Sequence, residues 1–548
     1  MRRSVLPSLL ICLAFACIAL GADTGHEGAA GHETKSEARE SGIEGIFWRE
    51  LDPEAGPGPL WTEGDVLVYG SSAFDVTPSL AGAGNGRLFC ALEKKGTPIS
   101  SIHVSYSDDG GRTWKQWTEI WSGGGYDLKS PSVAVGESGG EDYMLFAFVD
   151  EVGKVVVFRS PIDSLDLSGA IVETNPLGVS NPEITTDATE YSPWFGYLVY
   201  NTKDSLADRW VLQFSRSLDF GETWSAPAPL FAYDSTYNGY DAYPDIEFGS
   251  TVLYVAFDDY RWGALDRNIY VTRSTDFGTS WLAWGEVAGS ALDEFAPRLG
   301  AIKGFPAGNR AIVAYTADLG GGNCDIRYTY TLTGGADWSP YWEIAADPAR
   351  YEAYCDVATS NIGGRFHVAY YDEGTIRYEY SDWDDFTNWS APQDASDEGV
   401  ATPTWPRPAI GIIPSMPLDE EAGVAWTDYR VLNREIYYDS PYIPDAGVAD
   451  DDLHRRDPAS VSCHPNPCTA STLISFDLRG HTEVGADIYD TSGRRVRSLL
   501  DAARLEPGRH DIQWDGRDDS GRAVGPGIYL LRVSTPGLTR QNKIVVLR

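Results

Sequence analysis

The chain has 548 residues, of which 42% are hydrophobic and 12% aromatic, so it carries enough apolar side chains for a large core and is not globally disordered. Acidic residues outnumber basic ones, 80 to 43, which gives a formal net charge of −37. This charge repels phosphate and argues against nucleic acid or an anionic membrane surface as the main partner.

The N-terminus has the features of a secretory signal peptide over residues 1–21. Arg2 and Arg3 precede a mostly apolar run over residues 5–20, and small residues allow cleavage before Ala22. Residues 22–44 are rich in Gly, Glu, His and Ala without periodicity, which predicts a disordered leader. No other segment reaches the roughly 18 apolar residues of a membrane span, so we expect a secreted chain without a transmembrane segment.

An eight-residue pattern, S-x-D-x-G-x-T-W, recurs along the chain. It occupies residues 107–114 and 217–224, returns at 274–281 with Ser for Thr, and is degraded at 331–338 and 381–389. Each copy follows three short strand-like segments, and seven such sets recur about every 55 residues. This organisation predicts an all-β propeller over residues 45–444, with seven blades, or six if one weak copy is an insertion.

The last repeat lacks an outermost strand, because the chain continues into an acidic linker at residues 445–459. We expect residues 60–69 to supply that strand and to close the ring, which removes an exposed sheet edge. Residues 460–548 alternate apolar and polar residues in several runs, which predicts an immunoglobulin-like β-sandwich.

The cysteines allow several states. Cys463 and Cys468 flank a four-residue segment and could close a small disulfide loop in an oxidising compartment. Cys324 and Cys355 could pair between neighbouring repeats, whereas Cys90 lies in an apolar strand and is expected to be a buried small hydrophobe.

The eight-residue pattern resembles the Asp box, the bacterial neuraminidase repeat, and residues 60–443 therefore resemble a sialidase-type propeller. The Ser and Asp side chains can bond the turn backbone, Gly supplies unusual backbone angles, and Trp packs under the hairpin. In that family the pattern lies on the face away from the active site. We therefore expect a structural role for its residues, which are Ser107, Asp109, Gly111 and Trp114, then Ser217, Asp219, Gly221 and Trp224, then Ser274, Asp276, Gly278 and Trp281.

The C-terminal segment resembles the type A sorting domains of type IX secretion and the related immunoglobulin-like domains of flagellar hook caps. Residues 465–467 (Pro-Asn-Pro), 514–516 (Trp-Asp-Gly) and 543–548 (Lys-Ile-Val-Val-Leu-Arg) carry this resemblance. It implies recognition by secretion machinery, passage across an outer membrane, and release or surface attachment. The alternative is an accessory sandwich that only packs or spaces.

The sialidase resemblance does not extend to the expected catalytic residues. Sialidases bind the substrate carboxylate with three Arg and use a Tyr nucleophile, a Glu and an acid/base Asp. The first Arg belongs to a Phe-Arg-Ile-Pro motif, and here the equivalent segment is Phe74-Asp75-Val76-Thr77-Pro78. Neither Asp75 nor Val76 can bind a carboxylate, and we identify no further Arg or Tyr–Glu pair. No catalytic residue is therefore assigned.

A second recurrence is Ala-aromatic-x-Asp at the end of the second strand of several repeats. It places candidate ligand-binding aspartates on the face opposite the Asp boxes, where with aromatic neighbours they could hold a cation or bind sugar hydroxyls. The alternative, which the recurrence favours, is that each Asp caps its own hairpin turn. The candidates are Asp150, Asp259, Arg261, Asp372, Asp428 and Arg430.

These patterns leave three hypotheses for function. The first is a secreted or cell-surface propeller that binds a glycan or a protein without catalysis; the alternatives are an exo-glycosidase with an altered site and an architectural surface protein. No cofactor or metal is indicated. The Asp-rich loop at residues 234–241 could bind calcium but lacks a full EF-hand pattern.

Overall fold

The structure of the protein is a computed structural model. The described residues form strands and turns and contain no helix, so none of them forms a helix that could cross a membrane. The structure describes residues 39–40, 43, 46–50, 65–71, 74–83, 86–96, 98–136, 142–187, 194–204, 209–230, 241–249, 251–260, 266–303, 310–348, 350–360, 364–382, 385–396, 408–413, 421–428, 434–440, 458–464, 468, 471–478, 482–490, 494–505, 508–535 and 538–547. The predicted signal peptide and the Asp-rich loop at 234–240 lie outside them.

Thirty strands precede the C-terminal segment. They are β1 (Arg39–Glu40), β2 (Ile46–Glu50), β3 (Val66–Tyr69), β4 (Phe74–Gly82), β5 (Leu88–Lys95), β6 (Ser101–Ser107), β7 (Lys115–Ser122), β8 (Leu128–Gly136), β9 (Tyr143–Asp150), β10 (Lys154–Pro161), β11 (Ser168–Thr174), β12 (Val179–Thr186), β13 (Gly196–Asp204), β14 (Arg209–Ser217), β15 (Ala228–Pro229), β16 (Asp245–Gly249), β17 (Val252–Tyr260), β18 (Arg267–Ser274), β19 (Gly285–Ala288), β20 (Asp293–Ala301), β21 (Ala311–Gly320), β22 (Asn323–Thr331), β23 (Trp342–Ala345), β24 (Glu352–Thr359), β25 (Arg365–Asp372), β26 (Thr375–Asp382), β27 (Gln393–Asp394), β28 (Ala409–Ile413), β29 (Glu421–Asp428) and β30 (Glu435–Asp439).

These strands build a propeller of seven blades, which confirms the predicted all-β fold. From the axis outward the blades are β4-β5-β6-β7, β8-β9-β10-β11, β12-β13-β14-β15, β16-β17-β18-β19, β20-β21-β22-β23, β24-β25-β26-β27 and β28-β29-β30-β3. Each innermost strand packs against the next, and β28 packs against β4, so the ring is closed. The central strands are apolar on both faces because a neighbouring blade covers each face, as in β17, where Val252–Asp259 is buried throughout.

The N-terminal strand β3 completes blade seven, as the sequence indicates. Leu67 and Val66 pair with Tyr437 and Tyr438 of β30, so the first and last parts of the propeller share one sheet. This pairing protects the edge that the last repeat would otherwise expose.

Part of the segment predicted as a disordered leader is ordered instead. Strand β1 pairs with β2, and β2 pairs with β7, so blade one has six strands. Ile43, Ile46 and Trp48 are buried in the core that blades one and two share. Only β1 and Ile43 fall within the predicted leader of residues 22–44, since Ile46 and Trp48 belong to the segment assigned to the propeller; a single apolar residue shows no period, although packing buries it.

The turn between the third and fourth strands of a blade is held by the S-x-D-x-G-x-T-W residues. In blade one, Gly111 N and Asp109 N donate to Ser107 Oγ at 2.8 and 3.3 Å, and Thr113 N donates to Asp109 Oδ1 at 2.9 Å. Gly111 has φ +94°, and a Cβ there would collide with the ring of Tyr438. The same bonds recur around Ser217 and Asp219, and around Ser274 and Asp276. We call this face of the propeller the motif face.

Each motif turn also accepts a hydrogen bond from the blade before it. Arg159 Nη1 donates to Phe220 O at 3.3 Å, Arg216 Nη1 to Phe277 O at 2.5 Å, and Tyr438 Oη to Gly110 O at 3.1 Å. Equivalent bonds join Arg87 to Ile162 O, Arg273 to Gly334 O, and Tyr328 to Phe386 O. Among the described residues, such bonds therefore bridge six of the seven blade interfaces in the same direction on the motif face.

The C-terminal segment forms two packed sheets. Their strands are β31 (Pro458–His464), β32 (Thr472–Leu478), β33 (Thr482–Asp490), β34 (Arg495–Leu505), β35 (Gly508–Trp514), β36 (Gly527–Thr535) and β37 (Leu538–Val546). The sheets are β31-β32-β35 and β34-β33-β36-β37, and their core contains Trp514, Ile488 and Ile544. Strand β31 begins at Pro458, within the last two residues of the predicted linker; residues 445–457 lie outside the described part of the chain.

The predicted disulfides are not formed. Cys468 is a buried free cysteine that packs in the core of the sandwich, and the side chain of Cys463 lies outside the described residues. Cys324 and Cys355 are also free and buried. Cys355 packs among the apolar side chains shared by blades five and six, which gives it the role of a small hydrophobe, and Cys324 forms an isolated backbone bridge with Tyr351.

Replacing Tyr438 with Phe tests the bridging bonds at the seam where the ring closes. Loss of the Tyr438–Gly110 bond leaves a carbonyl without its partner, so Tyr438→Phe is expected to lower the free energy of unfolding by about 1 kcal/mol in urea denaturation followed by Trp fluorescence. The control is Tyr437→Phe on the same strand, whose hydroxyl binds Glu435 of its own blade at 3.1 Å. Equal losses from both variants would contradict a special role for the seam.

Candidate functional site

The predicted ligand-binding aspartates end the second strands of four blades, on the face opposite the motif face. Asp150 accepts hydrogen bonds from Val152 N at 3.1 Å and Lys154 N at 2.8 Å, so it caps its own hairpin. Asp372 pairs with Arg350 at 2.5 Å and Arg377 at 3.1 Å. These contacts fit the alternative in which the aspartates stabilise their own blades.

The other members of that set do not define a shared site either. Asp259 and Asp428 are buried within β17 and β29, opposite Asn268 and Glu435 of the next strands. Arg261 and Arg430 lie outside the described residues. The candidates thus stay in separate blades, and the structure points to a different set of residues at the axis.

The innermost strands share an irregularity where they approach the axis. In five blades the pairing register shifts beside a non-glycine residue with a left-handed backbone, and this residue is followed by Pro, or by Cys in blade six. Such a backbone costs about 1–3 kcal/mol at each residue and tends to cluster at functional sites. The five residues are Thr77 (φ 51°), Ser130 (53°), Asn181 (46°), Ala296 (52°) and Tyr354 (56°).

In five blades the bulge brings one side chain to the axis, two residues after the left-handed position, and Asp245 and Ala409 hold the equivalent place after a Pro in blades four and seven. We call these seven residues the axial ring. Its members are Ser79, Ser132, Glu183, Asp245, Arg298, Asp356 and Ala409. Sequence comparison of the repeats could have found them, because six of the seven directly follow a Pro in the first strand of each set. Because these seven residues differ in type, their equivalent positions do not appear as a repeated residue when the repeats are compared.

Four ring side chains cap the free edge of the next blade. Val133 N donates to Ser79 Oγ at 3.0 Å and Ile184 N to Ser132 Oγ at 3.2 Å. The two carboxylates act in the same way: Leu299 N donates to Asp245 Oδ2 at 2.6 Å, and Ile410 N to Asp356 Oδ2 at 2.9 Å. An innermost strand has no neighbour on its axial side, so these bonds satisfy backbone groups that would otherwise lack a protein partner.

Arg298 lies at the centre of the ring and contacts carboxylates of three other blades. Its Nη1 is 3.2 Å from Glu183 Oε1 and 4.0 Å from Asp245 Oδ1, and its Nε is 3.4 Å from Asp356 Oδ1. Glu183 also accepts a hydrogen bond from Ser132 Oγ at 2.8 Å. One guanidinium therefore faces three carboxylates. These four side chains together carry a net negative charge when the three carboxyls are ionised.

Burial changes the acidity of two ring carboxyls. Removal from water, together with the nearby Glu183 and Asp356, raises the pKa of Asp245 to about 8 against the pull of Arg298. Burial also raises the pKa of Asp356 to about 6. The surrounding carboxylates raise the pKa of Arg298, which stays a cation.

A cavity of about 130 Å³ lies over the axial ring on the face opposite the motif face; we call it the axial mouth. Thr77, Ser130, Asn181 and Tyr243 line it, with five prolines from the innermost strands and their approaches. Hydroxyl, amide, phenol and carboxylate groups thus converge on a small space with an aromatic ring at its side. On the motif side of the ring, a second cavity of about 480 Å³ contains Glu247 and Lys303, whose charged groups are 3.0 Å apart.

The axial mouth does not have the carboxylate-binding character of a sialidase site. The one cation among its described lining residues, Arg298, is already surrounded by carboxylates. Asp75, at the position that the sialidase resemblance would give to an Arg, is buried and accepts hydrogen bonds from Ser71 N and Oγ at 3.1 Å. A buried Tyr–Glu pair, Tyr370 and Glu379 at 2.8 Å, was not identified from the sequence. Tyr370 is only 2% exposed, so it cannot serve as a nucleophile toward a sugar. Within the described residues, no group of three or more His, Cys, Asp or Glu could hold a metal ion.

The order of the strands and the closure of the ring define the chain as a seven-bladed β-propeller protein with a C-terminal immunoglobulin-like domain. Residues 469–537 match the family described as the FlgD Ig-like domain, so the C-terminal sandwich is similar to domains of that type. No curated protein matches the chain significantly.

Several solved structures are similar to the propeller. A protein of unknown function from Dyadobacter fermentans is 15% identical, with a TM-score of 0.44, and the match covers 73% of this chain and 99% of that one. An ulvan lyase of polysaccharide lyase family 25 is 13% identical, with a TM-score of 0.46 and coverage of 68% and 94%. The intramolecular trans-sialidase from Ruminococcus gnavus is 12% identical, with a TM-score of 0.39 and coverage of 69% and 98%. No site residue of this chain is assigned from them.

The raised pKa values of the buried carboxyls lead to a prediction of how the stability of the fold depends on pH. Burial raises the pKa of Asp75 and Asp245 to about 8 and of Glu352 and Glu379 to about 7, far above their values of about 4 in an unfolded chain. Between pH 5 and 8 the folded chain therefore holds more protons than the unfolded chain, and its stability falls as the pH rises. We expect the unfolding temperature, measured by calorimetry at constant ionic strength, to drop by several degrees from pH 5 to pH 8.

Two matched variants test whether buried carboxyls cause this drop in the unfolding temperature. Glu379→Gln keeps an oxygen that can accept the bond from Tyr370 but removes the ionisation, so its unfolding temperature should drop less between pH 5 and 8 than that of the unmodified chain. Glu222→Gln changes a carboxylate that is 66% exposed and should leave the drop unchanged. An unfolding temperature that rises from pH 5 to 8 would refute the raised pKa values of these buried carboxyls.

Proposed function

We propose that the axial mouth is a carbohydrate-binding site and that the chain is a glycan-binding propeller without catalytic activity. The observation that carries the proposal is the convergence of Asn181, Tyr243 and the polar ring residues on one cavity at the axis. Ligand sites are typically such concave places with a few convergent polar groups. Carboxylates and amides can bond sugar hydroxyls, and the Tyr243 ring can stack on the apolar face of a sugar.

Backbone strain at the same place supports the proposal. Thr77 is β-branched, so a left-handed φ of 51° is unfavourable for it, yet the conformation is retained at the rim of the mouth. Asn181 is held in place by a bond from its Nδ2 to Ala242 O at 2.9 Å. These groups are thus positioned before any ligand arrives, which lowers the entropic cost of binding.

An exo-glycosidase remains the alternative because the mouth contains a carboxyl of raised pKa, Asp245, close to a second carboxylate, Glu183. A glycosidase uses such a pair as proton donor and as base or nucleophile. However, both oxygens of Asp245 accept backbone hydrogen bonds, from Leu299 N at 2.6 Å and Ile246 N at 2.9 Å. These contacts engage the oxygens that a proton donor would turn toward a substrate, and they favour binding over hydrolysis.

We further propose that the protein is exported and acts outside the cell or on its surface, and that secretion machinery recognises the C-terminal domain. The basic-apolar N-terminus and the sorting-type motifs of residues 460–548 support this proposal. Cell fractionation of the native host should find the chain in the medium or the outer membrane fraction. Retention in the cytoplasm would refute export.

Binding is tested by titrating the purified full chain with a panel of neutral oligosaccharides. Loss of the stacking ring in Tyr243→Ala is expected to weaken the best ligand about tenfold, since stacking contributes about 1.5 kcal/mol. Tyr341→Ala is the matched control, because Tyr341 is 51% exposed on the outer part of blade five and away from the axis.

Two results would replace the proposal. Equal affinity of both variants would move the site away from the axial mouth. Release of reducing sugar during the titration, abolished in Asp245→Asn, would establish the glycosidase alternative.

A further inference from the structure

We infer that Arg298 and its carboxylate partners set the charge selectivity of the axial mouth. While Asp356 is ionised the mouth rejects sugars that carry a carboxylate, and when Asp356 is neutralised the Arg298 guanidinium binds such sugars. This inference rests on the proposed function, since it concerns the same site and names the class of sugar that the site accepts.

The geometry makes Arg298 the decisive group. It is the one cation among the described residues that line the mouth. Its Nη1 faces Glu183 of blade three, and its Nε, 3.4 Å from Asp356, faces the adjacent blade six. An incoming carboxylate can pair with this guanidinium only by taking the place of one of these partners.

The negative charge around Arg298 opposes that exchange. Glu183 comes from β12 and Asp356 from β24, and Asp245 from β16 adds a further charge when it is ionised, so a ligand carboxylate at Arg298 approaches like charges from several directions. The groups are largely enclosed by protein, where repulsion between charges is stronger than in water. A neutral sugar meets no such repulsion and keeps its hydrogen bonds with the same oxygens.

Asp356 can lose its charge without losing its structural bond. The titratable and charged groups that face it are Arg298 from β20, Glu183 from β12 and Asp245 from β16, with Cys355 beside it on β24. Its pKa of about 6 means that it is mostly ionised at pH 8 and mostly neutral at pH 5. A neutral Asp356 still accepts the bond from Ile410 N, so the blade contact persists while the Nε of Arg298 loses its anionic partner.

The test compares D-glucuronate with D-glucuronamide, which has the same ring without the charge. Glucuronate remains largely ionised at pH 5, because such carboxyls titrate near pH 3.5. In titrations of the full chain at pH 8, glucuronate is expected to bind at least about tenfold more weakly than the amide, and at pH 5 within about threefold. Asp356→Asn should show the small ratio already at pH 8.

Two further variants isolate the cause. Arg298→Gln added to Asp356→Asn should abolish the gain in glucuronate affinity. Glu247→Gln removes a carboxylate that pairs with Lys303 on the other side of the ring, and it should keep the ratio of the unmodified chain.

The outcomes separate this inference from the proposed function. If glucuronamide binds but the ratio is the same at both pH values and in Asp356→Asn, the selectivity mechanism is overturned while the binding site stands. If neither compound binds under any condition while an oligosaccharide of the neutral panel does, this inference fails and the proposed function stands; if no sugar binds, both fail.

Discussion

The propeller depends on satisfying the inner edge of its blades. Every innermost strand has one side that faces the axis, where no further strand can pair with its N–H and C=O groups. Side chains of the preceding blade take that role, as when Asp245 accepts a bond from Leu299 N and Asp356 from Ile410 N. In five blades, as before Asp356, a bulge aims the side chain at the neighbouring blade, and the left-handed backbone is the cost of that direction.

Because of this requirement, the same residues line the axial mouth and hold neighbouring blades together. The carboxylates that surround Arg298 also hold adjacent blades together, so they are fixed in position and partly engaged before any ligand arrives. A fixed ring of hydrogen-bonding groups suits recognition of a polar ligand more than proton transfer, which needs an oxygen free to face the substrate. On the motif face, bonds such as that from Arg216 to Phe277 O join the blades at larger radius. Both sets of hydrogen bonds join neighbouring blades and stabilise the closed ring.

The repeats were predictable because their signals are local. The turn around Ser107, Asp109 and Gly111 uses bonds within a few residues, so the same letters recur wherever the turn recurs. The missing strand of the last repeat indicated that an N-terminal segment closes the ring, and β3 does so. The state of the cysteines and the structure of the leader were harder to predict from the sequence, since Cys468 and Ile43 pack against side chains that are distant along the chain. The recurring aspartates after the second strands fit the interpretation that their recurrence favours: a residue repeated in several blades, such as Asp150, caps its own hairpin.

The sequence by itself determined the fold class, the order of the blades and the immunoglobulin-like domain at the C-terminus, because strand periodicity and turn chemistry are short-range. Only the tertiary structure decided which polar residues meet at the axis. Glu183, Asp245, Arg298 and Asp356 are separated by more than 50 residues along the chain and come together only when the ring closes. Their identities differ from blade to blade, and their contacts are with residues of other blades, so no local rule records which of them meet.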